Sequence, residues 1–201
     1  MTIHVLAFAG SLREASYNRG LLRAAQELAP AGITIEIFDL DGIPMFNADV
    51  EAQGTPAPVM AFRERLKAAD AYLIATPEYN WSIPGVLKNA IDWASRKGPD
   101  FQAPINDKPV AIMGAGGMLG TVRAQMHLRE ILQHNNLYVL NRPAVMVARA
   151  GQFFVDGELV DEELRDRIRR QLEALRDWAI QLNPTLAERD AQPTAVALNG
   201  N

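Results

Sequence analysis

Hydrophobic residues along the chain alternate between short β-branched runs and longer stretches with helical spacing. The short runs predict strands at 3–9, 33–38, 71–76, 109–113 and 144–148. Apolar residues three and four positions apart predict helices at 18–29, 59–69, 83–94, 119–134 and 162–182. Because parallel neighbouring strands need crossover helices, this order predicts an α/β fold with a doubly wound, five-stranded parallel sheet and helices on both faces.

Two stretches show neither pattern. Residues 41–58 contain three prolines and two glycines, which predicts a long loop. Residues 183–201 have no apolar period, and we expect a disordered C-terminal tail there. The remaining residues, 1–182, are predicted to form a single domain.

Composition narrows the chemistry. The chain has 201 residues, 48 % hydrophobic and 22 % charged, as in ordinary globular proteins. It has no cysteine, which excludes disulfides, thiolate catalysis and iron–sulfur clusters. The net charge of −4 gives no basic field for nucleic acid or an anionic membrane. We find neither a signal peptide nor a membrane-spanning run, so we expect a cytoplasmic protein. The histidines His4, His127 and His134 lack metal-ligand spacing, so no metal site is predicted.

The loop after the first predicted strand has the residue types of an anion site. Ligands of such sheets bind at the carboxyl ends of the strands. Here the hydroxyls of Ser11 and Ser16, the amide of Asn18 and free backbone amides precede a helix, whose dipole favours negative charge. Arg13 offers a bidentate partner. Neither a P-loop nor a GxGxxG motif is present, so a monophosphate fits best. The alternative is a plain helix cap at Ser16 or Asn18 with Arg13 in solvent.

The loop after the third predicted strand, residues 76–85, contains two aromatic residues, an asparagine and a serine. Planar side chains and polar backbone there suit a flat heteroaromatic ring with edge donors and acceptors. The alternative is a tight turn in which Tyr79 and Trp81 belong to the core or to an interface. After the fourth strand, Gly114-Ala115-Gly116-Gly117 allows close approach of backbone to a ligand. A flexible turn is the alternative for this loop.

Two of these segments resemble a known family. Gly-Ser-Leu-Arg at 10–13 with Ser-Tyr-Asn-Arg at 16–19 is similar to the phosphate loop of the NAD(P)H-dependent FMN reductases. Ala-Thr-Pro-Glu-Tyr-Asn-Trp-Ser-Ile-Pro-Gly-Val-Leu-Lys-Asn-Ala-Ile-Asp-Trp-Ala-Ser-Arg at 75–96 resembles the longest motif of that family, which includes quinone, chromate and azo-dye reductases. The resemblance extends over about residues 3–180. At position 81 this chain has tryptophan where the family often has tyrosine.

The resemblance implies a flavodoxin-like fold and an FMN site. Phosphate contacts are implied for Ser11, Arg13, Ser16, Tyr17 and Asn18. Contacts with the ribityl chain and isoalloxazine ring are implied for Pro77, Glu78, Tyr79, Asn80, Ser82 and the loop Gly114, Ala115, Gly116, Gly117, with Trp81 shaping the space above the ring. Arg123 and Arg129 are expected to be structural or intersubunit residues. A homodimer or a dimer of dimers is also implied.

We therefore expect an FMN-dependent oxidoreductase that transfers electrons from NADPH or NADH to a small acceptor such as a quinone, azo compound, chromate or free flavin. A donor and an acceptor that share one site predict ping-pong kinetics. No side chain is assigned as a catalytic acid or base, because the redox chemistry belongs to the flavin. Residues 41–58 are expected to cover the site from their own or a partner subunit. The alternatives are a non-enzymatic FMN electron carrier and an FMN-free binding domain on the same fold.

Overall fold

The computed structural model of the chain describes residues 2–98 and 102–187. Its central sheet is parallel throughout, with the strand order β2-β1-β3-β4 followed by a last position that β5 and β6 share. These strands are β1 Ile3–Ala9, β2 Ile33–Phe38, β3 Ala71–Ala75, β4 Pro109–Ala115, β5 Tyr138–Val139 and β6 Val145–Val147. A small antiparallel hairpin follows, formed by β7 Phe154–Val155 and β8 Glu158–Leu159.

Helices cover both faces of the sheet. They are α1 Tyr17–Glu27, α2 Ala48–Ala52, α3 Ala57–Ala68, α4 Gly85–Ala94, α5 Val122–His134 and α6 Glu162–Leu182. Buried side chains of α1 and α6 pack on one face, and those of α3, α4 and α5 pack on the other. Every residue of β3 and β4 is buried, as expected for central parallel strands covered on both sides. The predicted α/β fold with a doubly wound parallel sheet is confirmed.

Three local features differ from what the sequence predicts. The predicted fifth strand, 144–148, is present as β6, and a two-residue strand that was not predicted, β5, precedes it at the same edge of the sheet. The two are separate because residues 141–144 leave the sheet around Pro143, which has no N–H to donate. The predicted loop 41–58 contains α2, whose first turn is capped by the side chain of Asn47 accepting from the amide of Asp49 at 2.8 Å. This helix buries no residue, so it leaves no apolar period in the sequence. The hairpin β7–β8 was not predicted.

The predicted tail begins differently from expectation. Residues Pro184–Ala187 form a 3-10 helix, and Leu186 packs into the core on the α1–α6 face. The rest of the predicted tail, 188–201, lies outside the described residues. Among the helices within the described ranges, none combines the length and the apolar character needed to span a bilayer.

The buried side chain of Gln171 fills the gap between β5 and β6. Its Nε2 donates to the carbonyl of Ile112 at 3.0 Å and to the carbonyl of Pro143 at 2.9 Å. Ile112 lies on β4 between the residues that pair with β5 and with β6. A side chain from α6 thus supplies a donor where the ladder is interrupted, which avoids leaving a buried carbonyl unpaired.

A lysine caps the carboxyl-terminal end of α3, which lies at the amino ends of the strands. The Nζ of Lys108 donates to the carbonyls of Leu66, Lys67 and Ala69, at the carboxyl-terminal end of α3. It also lies 5.6 Å from the ring centroid of the buried Tyr72. Burial lowers the pKa of Lys108 to about 8. This lysine is remote from the carboxyl ends of the strands, where the loops of interest lie.

Candidate functional site

Loops from four strands meet in one cleft at the carboxyl ends of the sheet. The cleft has a volume of about 480 Å³, which is within the range of small-molecule sites. It is lined by residues that follow β1, β3, β4 and β6: Ser11, Arg13, Ser16, Tyr17, Asn18, Pro77, Glu78, Tyr79, Ala115, Gly116, Gly117, Arg149, Ala150 and Gly151. Most of the residues predicted for the site therefore share one cleft. The exceptions are Asn80, Trp81, Ser82 and Gly114.

The loop between β1 and α1 forms the anion-binding wall. Ser16 is the N-cap of α1, and its hydroxyl accepts from the amide of Asn18 at 3.3 Å. Within the described residues, the backbone amides of 11–15 have no hydrogen-bond partner. The guanidinium of Arg13 lies 5.3 Å from the ring centroid of Tyr17 and forms no ion pair with any described residue. Unpaired amides, a helix N-terminus and a cation together fit a phosphate group.

Asn18 has a structural task inside this wall. Its side chain is 2 % exposed, and its amide donates to the carbonyl of Ala115 at 2.9 Å and accepts from the Ala115 amide at 3.0 Å. Directly after β3, the amide of Thr76 still donates to the carbonyl of Met113 on β4, and Pro77 then turns the chain away. The amide of Asn18 satisfies the next backbone groups of β4 and fixes α1 to the sheet. A side-chain contact between Asn18 and a phosphate stays a prediction.

The loop after β3 is a tight two-residue turn. Tyr79 and Ser82 exchange backbone hydrogen bonds of 3.0 Å each, and the two residues between them have left-handed φ angles, 49° at Asn80 and 65° at Trp81. Such a conformation suits asparagine and strains tryptophan. The turn carries the Trp81 side chain, 67 % exposed, beyond the cleft wall, with the Arg123 guanidinium 4.2 Å from its ring centroid. The tight turn expected as an alternative is thus present, and Tyr79 still lines the cleft.

Contacts with α5 hold this loop in place. The carboxylate of Glu78, only 11 % exposed, accepts from the amides of Arg123 at 2.9 Å and Ala124 at 3.1 Å. These amides belong to the first turn of α5, where a carboxylate is favoured by the helix dipole. One turn further along, the imidazole of His127 lies 3.0 Å from the Ser82 hydroxyl. Arg123 and His127 therefore have structural contacts here, and the expectation of a structural role for Arg123 agrees with them.

The glycines after β4 have different roles: some allow close packing, and others line the cleft. Gly114 is buried within β4, where a Cβ would lie 2.0 Å from the Thr121 hydroxyl and 2.5 Å from the Thr76 carbonyl. Its lack of a side chain serves close packing, and its contact with a ligand stays a prediction. Above Gly117, by contrast, no atom lies within 4 Å of a Cβ position. Gly117 therefore forms open backbone on the cleft surface, whereas a Cβ at Gly116 would lie 2.5 Å from the Gly120 carbonyl, so Gly116 serves close packing although it lines the cleft.

The fourth wall of the cleft is formed by Arg149, Ala150 and Gly151, which were not predicted from the sequence. The amide of Arg149 donates to the Gly117 carbonyl at 2.7 Å, and that of Ala150 donates to the Gly116 carbonyl at 2.9 Å. A signal was available, since these residues directly follow the predicted strand 144–148. Residues 41–58, expected to cover the site, line no part of the cleft. Cover by a partner subunit stays a prediction.

The parallel sheet, its strand order and the anion-binding loop at the N-terminus of α1 define a flavodoxin-like, mononucleotide-binding protein. Residues 3–152 match the family model of the NADPH-dependent FMN reductases. The chain belongs to this family.

Relatives and solved structures agree with this assignment. The chain is 50 % identical to an NAD(P)H-dependent FMN reductase of Pseudomonas aeruginosa, over 90 % of this chain and 97 % of that protein. It is 46 % identical to an NAD(P)H:quinone oxidoreductase of Solanum tuberosum, over 90 % of this chain and 94 % of the relative. Among solved structures, the flavoenzyme NAD(P)H:(acceptor) oxidoreductase FerB from Paracoccus denitrificans superposes with a TM-score of 0.77 at 30 % identity, covering 90 % of this chain and 98 % of that one.

Proposed function

We propose that the protein binds FMN in the cleft and uses it to transfer electrons from NADPH or NADH to a small acceptor, such as a quinone, azo compound, chromate or free flavin. The observation that carries the proposal is the meeting of an unpaired anion loop and an aromatic-walled space in a chain of the FMN reductase family. Two similar proteins are named as an FMN reductase and a quinone oxidoreductase, which supports both the cofactor and the acceptor class.

The residues present fit FMN. Its phosphate suits the loop at the start of α1, where Ser11, Arg13 and Tyr17 surround unpaired amides. Its ring suits the space between Tyr79 and the backbone of Gly116 and Gly117, of which Gly117 has open space above it. The remaining residues proposed to surround the cofactor are Ser16, Asn18, Pro77, Glu78, Asn80, Trp81, Ser82, Gly114 and Ala115. When bound, FMN supplies the capacity to accept a hydride and to return two electrons.

The protein's own part in the reaction is binding and orientation. Glu78 is the acidic side chain that lines the cleft, and its carboxylate is engaged by two amides of α5. We therefore assign it a positioning role and assign no side chain as a proton donor. Because one face of the cleft is open to solvent, donor and acceptor would use the same space in turn. This arrangement gives ping-pong kinetics.

An anaerobic visible spectrum tests the proposal. Purified protein with added FMN should show bound flavin absorbance that bleaches within seconds of NADPH addition. Flavin that binds but bleaches only with dithionite would indicate an electron carrier, and a protein that binds no flavin would contradict the proposal.

The phosphate assignment has its own test. The double variant Ser11→Ala/Arg13→Ala removes a hydroxyl and a cation from the anion wall, so its Kd for FMN should rise on the order of 100-fold. Fluorescence quenching of FMN measures this constant. An unchanged Kd would show that the phosphate lies elsewhere.

We also propose that the chain forms a homodimer or a dimer of dimers. Exposed apolar side chains lie beside the cleft at Trp81, Leu119, Val122 and Met126, with exposures of 67 %, 50 %, 42 % and 57 %. A face of this kind suits a second copy of the chain. Analytical ultracentrifugation of the wild type and of Met126→Asp tests it. A cytoplasmic location is proposed as well, because the reduced nicotinamide donor is found there, and cell fractionation checks it.

A further inference from the structure

A second cavity adjoins the cleft and has no part in the function proposed so far. It has a volume of about 500 Å³ and lies between the loop after β6 and the first turns of α6. Met118, Gln152, Phe153 and Arg167 are among its lining residues. We call it the α6 groove. Among the described residues, Arg149 alone lines both the cleft and the α6 groove.

The backbone of Arg149 is held in an uncommon conformation, and its side chain has no partner among the described residues. Its φ is 49°, in the left-handed region, and its amide bonds to the Gly117 carbonyl at 2.7 Å. A non-glycine residue in this conformation is held there by its surroundings, so the direction in which its side chain leaves the backbone is set. The guanidinium has no hydrogen bond or ion pair with any other described residue, and the residue is exposed. An unpaired cation is therefore held at the junction of two cavities.

The walls of the α6 groove suit a flat, partly polar ligand. Met118 is 77 % exposed, and Phe153 is half-buried, so a polarizable thioether and an aromatic ring are both accessible. Of its two acidic residues, Asp161 is committed as the N-cap of α6, accepting from Leu164 at 2.8 Å. The other, Glu163, forms an exposed pair with Arg167 at 3.3 Å, an interaction of little strength in water.

We propose that the α6 groove binds the adenosine diphosphate half of the nicotinamide donor, with Arg149 contacting the diphosphate. This inference rests on the proposed function. When the nicotinamide ring reacts in the cleft, the diphosphate and then the adenosine of the donor must extend out of it. Arg149 lies at the exit, where the diphosphate would pass, and the apolar groove lies beyond it, where the adenosine would bind. The diphosphate is common to NADPH and NADH.

A competing exit is less suitable. The cavity beside β1 and β2 shares Ser11 with the cleft and has a volume of about 260 Å³. Its cations are already paired: Arg19 with Asp39 at 2.6 Å, and Arg23 with Glu158 at 2.7 Å. A diphosphate would have to break these pairs, whereas Arg149 has no pair to break.

Calorimetric titration with ADP-ribose, which lacks nicotinamide, tests the groove directly. The titrated proteins are FMN-loaded wild type, Arg149→Gln and Arg142→Gln. Arg142 is an exposed arginine at the opposite end of β6 that lines neither cavity, so it is a matched control. We expect equal binding by wild type and Arg142→Gln, and at least tenfold weaker binding by Arg149→Gln. Equal binding by all three proteins, or no binding by wild type, would overturn the proposal.

Kinetics with a truncated donor provide the second measurement. With NADPH, Arg149→Gln should show a KM raised about tenfold, and the KM for 1-benzyl-1,4-dihydronicotinamide, which has no diphosphate, should rise much less. An equal loss with both donors, or a raised Kd for FMN, would overturn the proposal, because Arg149 would then serve the cleft itself. The proposed function fails separately, if wild type retains no FMN or neither donor reduces it.

Discussion

The substitution Asn18→Ala tests whether a residue from the anion loop belongs to the fold or to the ligand. It removes both hydrogen bonds to Ala115, of 2.9 and 3.0 Å, and leaves a buried amide and a buried carbonyl on β4 without partners. Each such group costs about 1–3 kcal/mol, so we expect the free energy of unfolding to fall by about 3 kcal/mol. With a urea dependence of about 2 kcal/mol/M, the midpoint should fall by about 1.5 M.

The assay is urea unfolding of FMN-free protein, because bound cofactor would add its own binding free energy. Asn141→Ala is the matched control: its amide is exposed and accepts one hydrogen bond from Arg129, at 3.2 Å. We expect a change within about 0.5 kcal/mol there. If Asn18→Ala costs no more than the control, the structural role assigned to this amide is refuted. If stability is unchanged and the Kd for FMN rises, the amide serves the ligand.

Three further predictions concern packing, loop anchoring and pH. Gly114→Ala should cost at least about 3 kcal/mol, because its Cβ would overlap the Thr121 hydroxyl, whereas Gly117→Ala, with open space above it, should leave the free energy of unfolding nearly unchanged. Glu78→Ala should cost about 1–2 kcal/mol and speed hydrogen exchange of the α5 amides it accepts from. The pKa of Lys108 is about 8 in the folded protein, against an ordinary value of 10.5, so between pH 8 and 10.5 the unfolded chain binds more protons than the folded one. The free energy of unfolding should therefore rise with pH in this range, relative to Lys108→Met.

Denaturant titrations test the stability predictions, and hydrogen exchange tests the anchoring of α5. Equal stability of the two glycine variants would contradict the close packing at Gly114. Unaltered exchange in Glu78→Ala would show that α5 begins without its carboxylate. A pH profile of Lys108→Met parallel to wild type would contradict the lowered pKa of Lys108.

Much of the fold could be predicted because its signals are local. Buried strands such as 71–75 are continuous apolar runs, and α4 has an apolar stripe that its burial confirms. The strand β5 was not predictable in this way, because it has two residues, and the contact that fills the gap after it comes from Gln171 on a distant helix. The helix α2 was missed because none of its residues is buried.

The candidate site was predictable to a different degree. Motifs near β1, β3 and β4 indicated three walls of the cleft, since the carboxyl ends of parallel strands meet. Hydrogen-bond partners decide what each residue does, and they are not visible in sequence. Asn18 is in the predicted wall with its amide engaged by Ala115, and Gly114 is packed against Thr121. Arg149 has no motif around it, and the only signal in the sequence was its place directly after the predicted strand 144–148.

The division of the last sheet position into β5 and β6 has a consequence for how the protein behaves in concentrated solution. A long, regular edge strand offers a row of unpaired backbone groups on which strands of other molecules can assemble. Here that edge consists of two residues, a detour and then three residues, and the β4 carbonyl that faces the gap is already bonded by Gln171. An incoming strand would find no continuous ladder to extend. The interruption thus protects this side of the sheet against aggregation.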